Sequence, residues 1–171
     1  MIAPIVLRPF ARDDAETLTE LIHRAYAPLA AAGLNFTGAY QDVAATLRRA
    51  SGGLCLVAEL DGELVGTVTM SSPPSRALQR LAPGVAGRKD TVWLNQLAVD
   101  PSHQGEGIAG RLWDEGCAWA VRNGVEWIGI DTAESAEHLV DLYRRWGFEP
   151  VETIHWDGKT YNSIVMVLAV G

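Results

Sequence analysis

Hydrophobic and polar positions along the chain switch repeatedly between the two-residue period of a strand and the three-and-four spacing of a helix. "IVLRPF" (5–10) reads as a first strand. Asp13 then stands where a helix cap would, ahead of Leu18, Leu21, Ile22, Ala25 and Leu29 at helical spacing, and Pro28 should end or kink that helix. A second short helix is expected around residues 39–50. "LCLVAEL" and "ELVGTVTM" flank Asp61-Gly62, a pair suited to the positive φ angles of a tight hairpin, so these runs should be antiparallel neighbours. "TVWLNQLAV" (91–99) is the next strand. A helix over 107–122 ending at Asn123-Gly124, a strand "EWIGID" (126–131) and a helix over 135–146 stopped by Gly147 follow it. A last hairpin, "FEPVETIHW" and "TYNSIVMVLAV", turns at Asp157-Gly158.

This order predicts an α/β (α+β) fold with a mixed, mostly antiparallel twisted sheet of about seven strands and flanking helices, in which only the middle is a parallel βαβ unit. No repeat or linker interrupts it, so residues 1–171 are expected to form a single domain. Residues 71–90 have no clear period. They hold Pro73, Pro74, Pro83, Gly84 and Gly87 beside Arg76, Arg80, Arg88 and Lys89, and read as a solvated loop with a short helical turn, a flap over a site being the other option.

Composition narrows the classes. With 171 residues, 48% hydrophobic and 20% charged, the chain can bury a sizeable core. No run approaches the ~20 apolar residues of a membrane helix, and "MIAPIVLRPFARDD" lacks a leader pattern, so a cytoplasmic protein without a membrane partner is expected. The formal charge of −7 argues against a broad nucleic-acid-binding face. Cys55 lies in an apolar run and Cys117 on a helix, without CxxC spacing, so both read as reduced packing residues. His23, His103, His138 and His155 are scattered, and no zinc spacing occurs, so no metal is expected.

Candidate chemistry begins at "LAVDPSHQGEGIAGRLWDEG" (97–116), where a strand stops at a proline and glycines crowd a helix start. "GEGIAG" (Gly105 to Gly110) spells GxGxxG, and Asp131 ends the next strand as a dinucleotide fingerprint would want. Five residues, Asp100 to Gln104, separate the strand from the first glycine, however, and too few parallel strands follow for a doubly wound sheet. What remains is general: a helix N-terminus offers unpaired N–H groups and partial positive charge to an anion, and glycines let a bulky diphosphate approach. The bland alternative is that the glycines permit close packing.

The run Gln104, Gly105, Glu106, Gly107, Ile108, Ala109 resembles in register the Arg/Gln-x-x-Gly-x-Gly/Ala signature of the GNAT family of N-acetyltransferases, and "LYRRWGF" (142–148) resembles that family's Leu-Tyr-x-x-x-Gly-Phe segment. The resemblance implies an acetyl-CoA cosubstrate whose pantetheine arm enters between splayed strands 92–99 and 126–131. Its amides would pair with the free edge of Leu97, Ala98 and Val99, and its diphosphate with the amides of Gln104, Gly105, Glu106, Gly107, Ile108, Ala109 and Gly110. His103 and Arg111 either add contacts there or are solvated neighbours. Many relatives carry an asparagine where this chain has Ala136, so one pantetheine contact is missing or falls to Ser135 or His138.

Acetyl transfer to an amine poses two proton problems, since an ammonium is not nucleophilic and a departing thiolate benefits from a proton. The resemblance places Tyr143 beside the sulfur as general acid; spacing alone puts it in an apolar stripe with Leu139, Leu142 and Trp146, and both can hold. For the base, the strand "WLNQLAV" offers Asn95 and Gln96 but no acid. Relatives that acetylate protein N-termini carry a glutamate twelve residues before the tyrosine, the position of Asp131, which would act through water; a cap of the strand-to-helix turn is the equal alternative. Oxyanion stabilisation would fall to a backbone N–H near Leu97. Tyr26, Asn35, Phe36, Tyr40, Trp93 and Tyr161 are candidate walls of an acceptor pocket or ordinary core residues. The expectation is an acetyl-CoA-dependent N-acetyltransferase acting by direct attack in a ternary complex on a small-molecule amine or peptide N-terminus. It needs no nucleic acid, and a homodimer is compatible with it. The alternatives are a silent acyl-CoA-binding module and an NAD-dependent oxidoreductase.

Overall fold

The computed structural model describes residues 4–171; residues 1–3, where the stretch read for a leader begins, lie outside it. Seven strands, β1 Val6–Pro9, β2 Gly53–Leu60, β3 Glu63–Ser71, β4 Thr91–Val99, β5 Trp127–Ala133, β6 Glu149–Ile154 and β7 Ser163–Ala169, form one sheet in the order β1-β2-β3-β4-β5-β7-β6. Every neighbouring pair is antiparallel except β4 and β5. The β2–β3 hairpin turns through Asp61 at φ 51° and Gly62 at φ 84°, the two positive angles that a twist-matched two-residue turn requires.

β4 organises the functional half of the sheet. It pairs with β3 as far as Val99, whereas its parallel register with β5 stops after Thr91↔Trp127, Val92↔Ile128 and Trp93↔Gly129. The remaining edge of β4 therefore faces an opening between the two strands. A bulge sets Thr69 against Gln96 and Met70 against Leu94, leaving Asn95 unmatched. The extra residue lets Val92, Leu94, Leu97 and Val99 all join one core cluster, while Ala98 and Trp93 pack on the other face.

Helix α5 (Ile108–Arg122) covers the first face, seated close because a side chain at Gly66 would meet Ile108 at 2.9 Å and one at Gly116 would meet Met70 at 2.6 Å. Ile108, Leu112, Val68, Met70, Ile128 and Met166 are buried there, with Val140 from α6 (Glu137–Arg145). On the opposite face α1 (Ala15–Ala31) buries Leu18, Leu21 and Ile22 against Cys55, Val57 and Ala98. No helix among the described residues is long and apolar enough to cross a membrane.

Several local expectations change. Asp13 does not cap α1: Arg12–Asp14 form a 3-10 turn, where the Asp14 carboxylate accepts the Ala11 N–H at 2.8 Å and two bonds from Arg8. Pro28 lies inside α1, which continues to Ala31, so its missing N–H costs one bond near the helix end without ending it. The second helix, α2 (Val43–Ala50), starts later than expected, capped by Asp42 accepting from Ala45 N–H at 2.8 Å. Before it, Thr37–Ala39 make a separate turn with Gly38 against the Tyr26 ring. The last hairpin does turn at Asp157-Gly158, where the Lys159 N–H donates to the Trp156 carbonyl at 3.1 Å and Gly158 has φ 78°, but within a wider loop over residues 155–162.

The largest correction falls in 71–90. It holds two short helices, α3 (Arg76–Leu81) and α4 (Pro83–Ala86), and buries Leu78, Ala82, Val85 and Ala86 over Trp93, Ile154 and Val165. Ser75 caps α3 by accepting the Leu78 N–H at 3.2 Å. Prolines and surface arginines masked a helical cap on the sheet.

Candidate active site

The strand opening leads into a cavity of about 800 Å³. Its walls include Leu97, Ala98 and Val99 on the free edge of β4, then Gln104, Gly105, Gly107, Ile108 and Ala109 at the start of α5, and Tyr143 on α6. Gly105 and Gly107 take φ of 81° and 79°, a left-handed conformation costly to other residues. Gly107 is the N-cap of α5 and no side chain caps that helix; its backbone ladder begins with Arg111 N–H donating to the Gly107 carbonyl at 3.1 Å. The amides of the first turn are thus left to another partner. A Cβ built at Gly105, Gly107 or Gly110 meets nothing within 4 Å, so close packing within the chain does not explain these glycines.

Around this loop the candidates separate. Glu106 points to the His103 ring at 3.2 Å, and neither its side chain nor Gly110 lines the cavity, whereas His103 does. Arg111 donates to the Ile5 carbonyl at 3.0 Å and stands outside the cavity. Ser135, Ala136 and His138 all line it. The approach to the loop is set by Asp100, whose carboxylate accepts from the Ser102 N–H at 2.9 Å, from the Ser102 hydroxyl and from Arg24 on α1 at 2.9 Å. Chiefly the Ser102 hydroxyl, then its amide and Arg24, hold Asp100 down to about 2 against the cost of burial.

A second cavity, of about 920 Å³, is lined by the end of α2, the start of α3 and the β6–β7 loop. Tyr26, Phe36, Trp93 and Tyr161 line it, as expected of acceptor walls; Tyr40 is exposed elsewhere. Asn35 is a tether instead, donating to the Gly158 carbonyl at 3.0 Å and accepting the Thr160 N–H at 2.9 Å. Phe36 stacks on Tyr161 with centroids 4.9 Å apart, and the Thr160 hydroxyl donates to the Gly33 carbonyl at 2.7 Å, so residues 33–37 and 158–161 are tied together beside the cavity.

The two cavities share Tyr26, Phe36, Asn95, Asp131 and Thr132. At this junction Asp131 does not cap a turn, since β5 runs on to Ala133. Its Oδ1 accepts the Trp93 indole N–H at 2.8 Å and its Oδ2 the Trp156 indole N–H at 2.7 Å. Gly129 makes this possible: it sits opposite Trp93 in the parallel register, and a side chain there would occupy the space of the indole ring. Tyr143 packs edge-on to Trp146 and Phe148 at centroid distances of 5.8 and 5.9 Å. Burial first, then Tyr26 and Asp131, push its phenol above the usual tyrosine range. Residues not singled out in the sequence also line the second cavity, namely Arg48, Arg49, Trp156 and Lys159; basic residues ending a helix and a tryptophan in a hairpin carry no distinguishing pattern.

A sheet opened between its one parallel pair, with a Gly-rich helix start in the opening and a second cavity meeting it at one carboxylate, defines the acetyltransferase class. Comparison with known proteins agrees: the sequence model of the acetyltransferase (GNAT) family matches residues 16–148, and the chain belongs to that family of acyltransferases. It is 31% identical over 137 residues to the S-(2-succino)cysteine N-acetyltransferase of Bacillus subtilis (strain 168), covering 79% of this chain and 78% of that protein. In fold it is similar to the ribosomal-protein-S18-alanine N-acetyltransferase of Escherichia coli, with a TM-score of 0.75 at 14% identity over 98% of this chain and 95% of that one. It is also similar to a Salmonella typhimurium protein solved with its cofactor acetyl-CoA, with a TM-score of 0.74 at 19% identity over 99% and 95%.

Proposed function

We propose that the chain transfers an acetyl group from acetyl-CoA to a primary amine by direct attack in a ternary complex. The observation that carries this reading is the meeting of two cavities at Asp131, one running to a glycine-built helix start and the other lined by the end of α2 and the β6–β7 loop. In the first, the free edge of Leu97 to Val99 would pair with pantetheine amides, and the unpaired amides from Gln104 to Gly110 would take the diphosphate, as the helix dipole favours. Glycines with no packing role leave room for that approach.

The amine enters from the second cavity. Asp131 draws its ammonium group and accepts one proton through a water; the two indole N–H groups hold the carboxylate in place. The freed nitrogen attacks the thioester carbonyl carbon, a backbone N–H near Leu97 steadies the oxyanion, and the carbon–sulfur bond breaks. Tyr143, kept protonated across the physiological range by its raised pKa, gives its proton to the departing sulfur and regains one through water from the second proton that the nitrogen sheds as the amide forms. The products are the N-acetylated acceptor and the free thiol of CoA. Cys55 and Cys117 line neither cavity, which favours direct attack over an acyl-cysteine intermediate.

The Bacillus subtilis relative is named for S-(2-succino)cysteine, which makes that amine the first acceptor to try. Initial rates over a matrix of acetyl-CoA and acceptor concentrations test the mechanism: intersecting reciprocal plots are expected, and parallel ones would replace direct attack with a covalent acyl-enzyme.

A further inference from the structure

Acetyl transfer requires an amine and a thioester to meet, but it does not require the charge pattern of the acceptor cavity. Arg48 and Arg49, in the last turn of α2, line it together with Lys159 from the β6–β7 loop. The ion pairs among the described residues use Arg8, Arg24 and His103 as cations, and Arg48, Arg49 and Lys159 take part in none. Lys159 Nζ donates to the Asn35 carbonyl at 2.7 Å and the Thr37 hydroxyl at 3.0 Å, both neutral, so no hydrogen bond pairs it with an acid.

The wall carries two acids against these three cations: Asp131, whose carboxylate is held by two neutral indole N–H groups and acts on Lys159, and Asp157, which is exposed. Burial first, and then Arg49, lower the pKa of Lys159 against the opposing pull of Asp131, as expected where like charges converge. A helix dipole accounts for arginines at the end of α2, but not for a lysine brought to the same space from a loop more than a hundred residues away. Ser71, Ser72 and Ser75 add neutral polar groups to that wall. In a chain of formal charge −7, this is a site kept for an anion.

We infer that the acceptor is an amino acid bearing carboxylates beside its amine, with Arg48, Arg49 and Lys159 holding the carboxylates while Asp131 receives the amine. This rests on the acetyltransferase reading and names the substrate class of the same site. A cavity of about 920 Å³ is on the scale of a small-molecule site.

Calorimetry on the CoA-saturated protein tests the inference without turnover. The probes are S-(2-succino)cysteine, S-methylcysteine as its neutral counterpart, spermidine as a polycation and an acidic peptide with a free N-terminus. S-(2-succino)cysteine is expected to bind at least tenfold tighter than each of the others. Arg49→Gln should weaken it by about tenfold or more, on the scale of one lost charge-assisted hydrogen bond, and Arg49→Lys should retain most of the affinity. CoA titrated into each variant should give the wild-type dissociation constant, which certifies the fold. Tighter binding of spermidine, S-methylcysteine or the peptide, or unchanged S-(2-succino)cysteine affinity in Arg49→Gln, overturns the inference. Absence of CoA binding by the wild type sinks the acetyltransferase reading instead; the carboxylate preference is then read on the protein alone, where the same ranking of probes is expected.

Discussion

Gly107→Ala separates two roles for the glycine that starts α5. Gly107 sits at φ 79° and ψ 11°, and an added methyl group meets no atom of the chain within 4 Å. Its effect on folding is therefore conformational alone. A left-handed angle costs an L-residue about 1–2 kcal/mol, and losing glycine from the unfolded chain returns about 0.4–1 kcal/mol. The net loss is about 0–1.6 kcal/mol, or a Tm lower by up to roughly 6 °C at about 2–4 °C per kcal/mol for a domain of this size. The consequence for acetyl-CoA is different in kind, because the methyl group occupies space through which a diphosphate would reach the amides. Loss of one charge-assisted hydrogen bond, about 1.5–3 kcal/mol, weakens binding about 10- to 150-fold. Gly124, beyond the other end of the same helix, has φ 71° and equally open surroundings, so Gly124→Ala supplies the matched control. Calorimetric titration and thermal melting of both variants decide the matter: equal Tm losses are expected, with affinity lost only at Gly107. Equal acetyl-CoA affinities in the two variants would refute a diphosphate site at this loop.

Tyr143→Phe keeps the ring that packs on Trp146 and Phe148 and removes the proton donor; kcat should fall about 10- to 1000-fold while acetyl-CoA affinity changes little, and full turnover in steady-state assays would return Tyr143 to a packing role. Because the phenol's pKa is raised, no loss of rate from its ionisation is expected below its ordinary value of about 10, and a Tyr143-dependent alkaline limb below that pH would contradict the assignment. Gly129→Ala should push the Trp93 indole off Asp131 and lower kcat/KM for the amine more than acetyl-CoA affinity, as read by initial rates and calorimetry. Asp100 has a folded pKa of about 2, below its unfolded value, so its contribution is present above about pH 4 and lost as pH falls toward 2. Acid denaturation should accordingly show a shallower pH dependence for Asp100→Asn between those limits, and identical profiles would count against the Arg24–Asp100–Ser102 cluster.

What was legible in the chain was mostly local. Asp61-Gly62 announces its hairpin because two positive φ angles suit that dipeptide, and β4 matches "TVWLNQLAV" residue for residue because its β-branched and aromatic residues and the flanking turn residues agree. Leu94 and Leu97 sit on one face only through the Asn95 bulge, which depends on pairing with β3 rather than on any feature of the run itself. The helices in 71–90 were hidden because Leu78 and Val85 are too few buried positions to establish a period between prolines. At the site, the glycines, Tyr143 and Asp131 stood out through motif spacing. The setting of Asp131 did not, since Trp93, Gly129 and Trp156 come together only through the parallel register and the last hairpin. Arg48, Arg49 and Lys159 were silent for the same reason: each is an ordinary surface cation until the fold turns all three toward one cavity.

Amine-dependent release of CoA thiol from acetyl-CoA, with mass analysis of the acceptor in the same reaction, tests the central claim most directly. With S-(2-succino)cysteine as acceptor, one thiol should be released for each acceptor molecule that gains an acetyl group on nitrogen, and release should slow sharply in Tyr143→Phe. Tight binding of acetyl-CoA without thiol release for any anionic, neutral or cationic amine would contradict it and make the chain a cofactor-binding module.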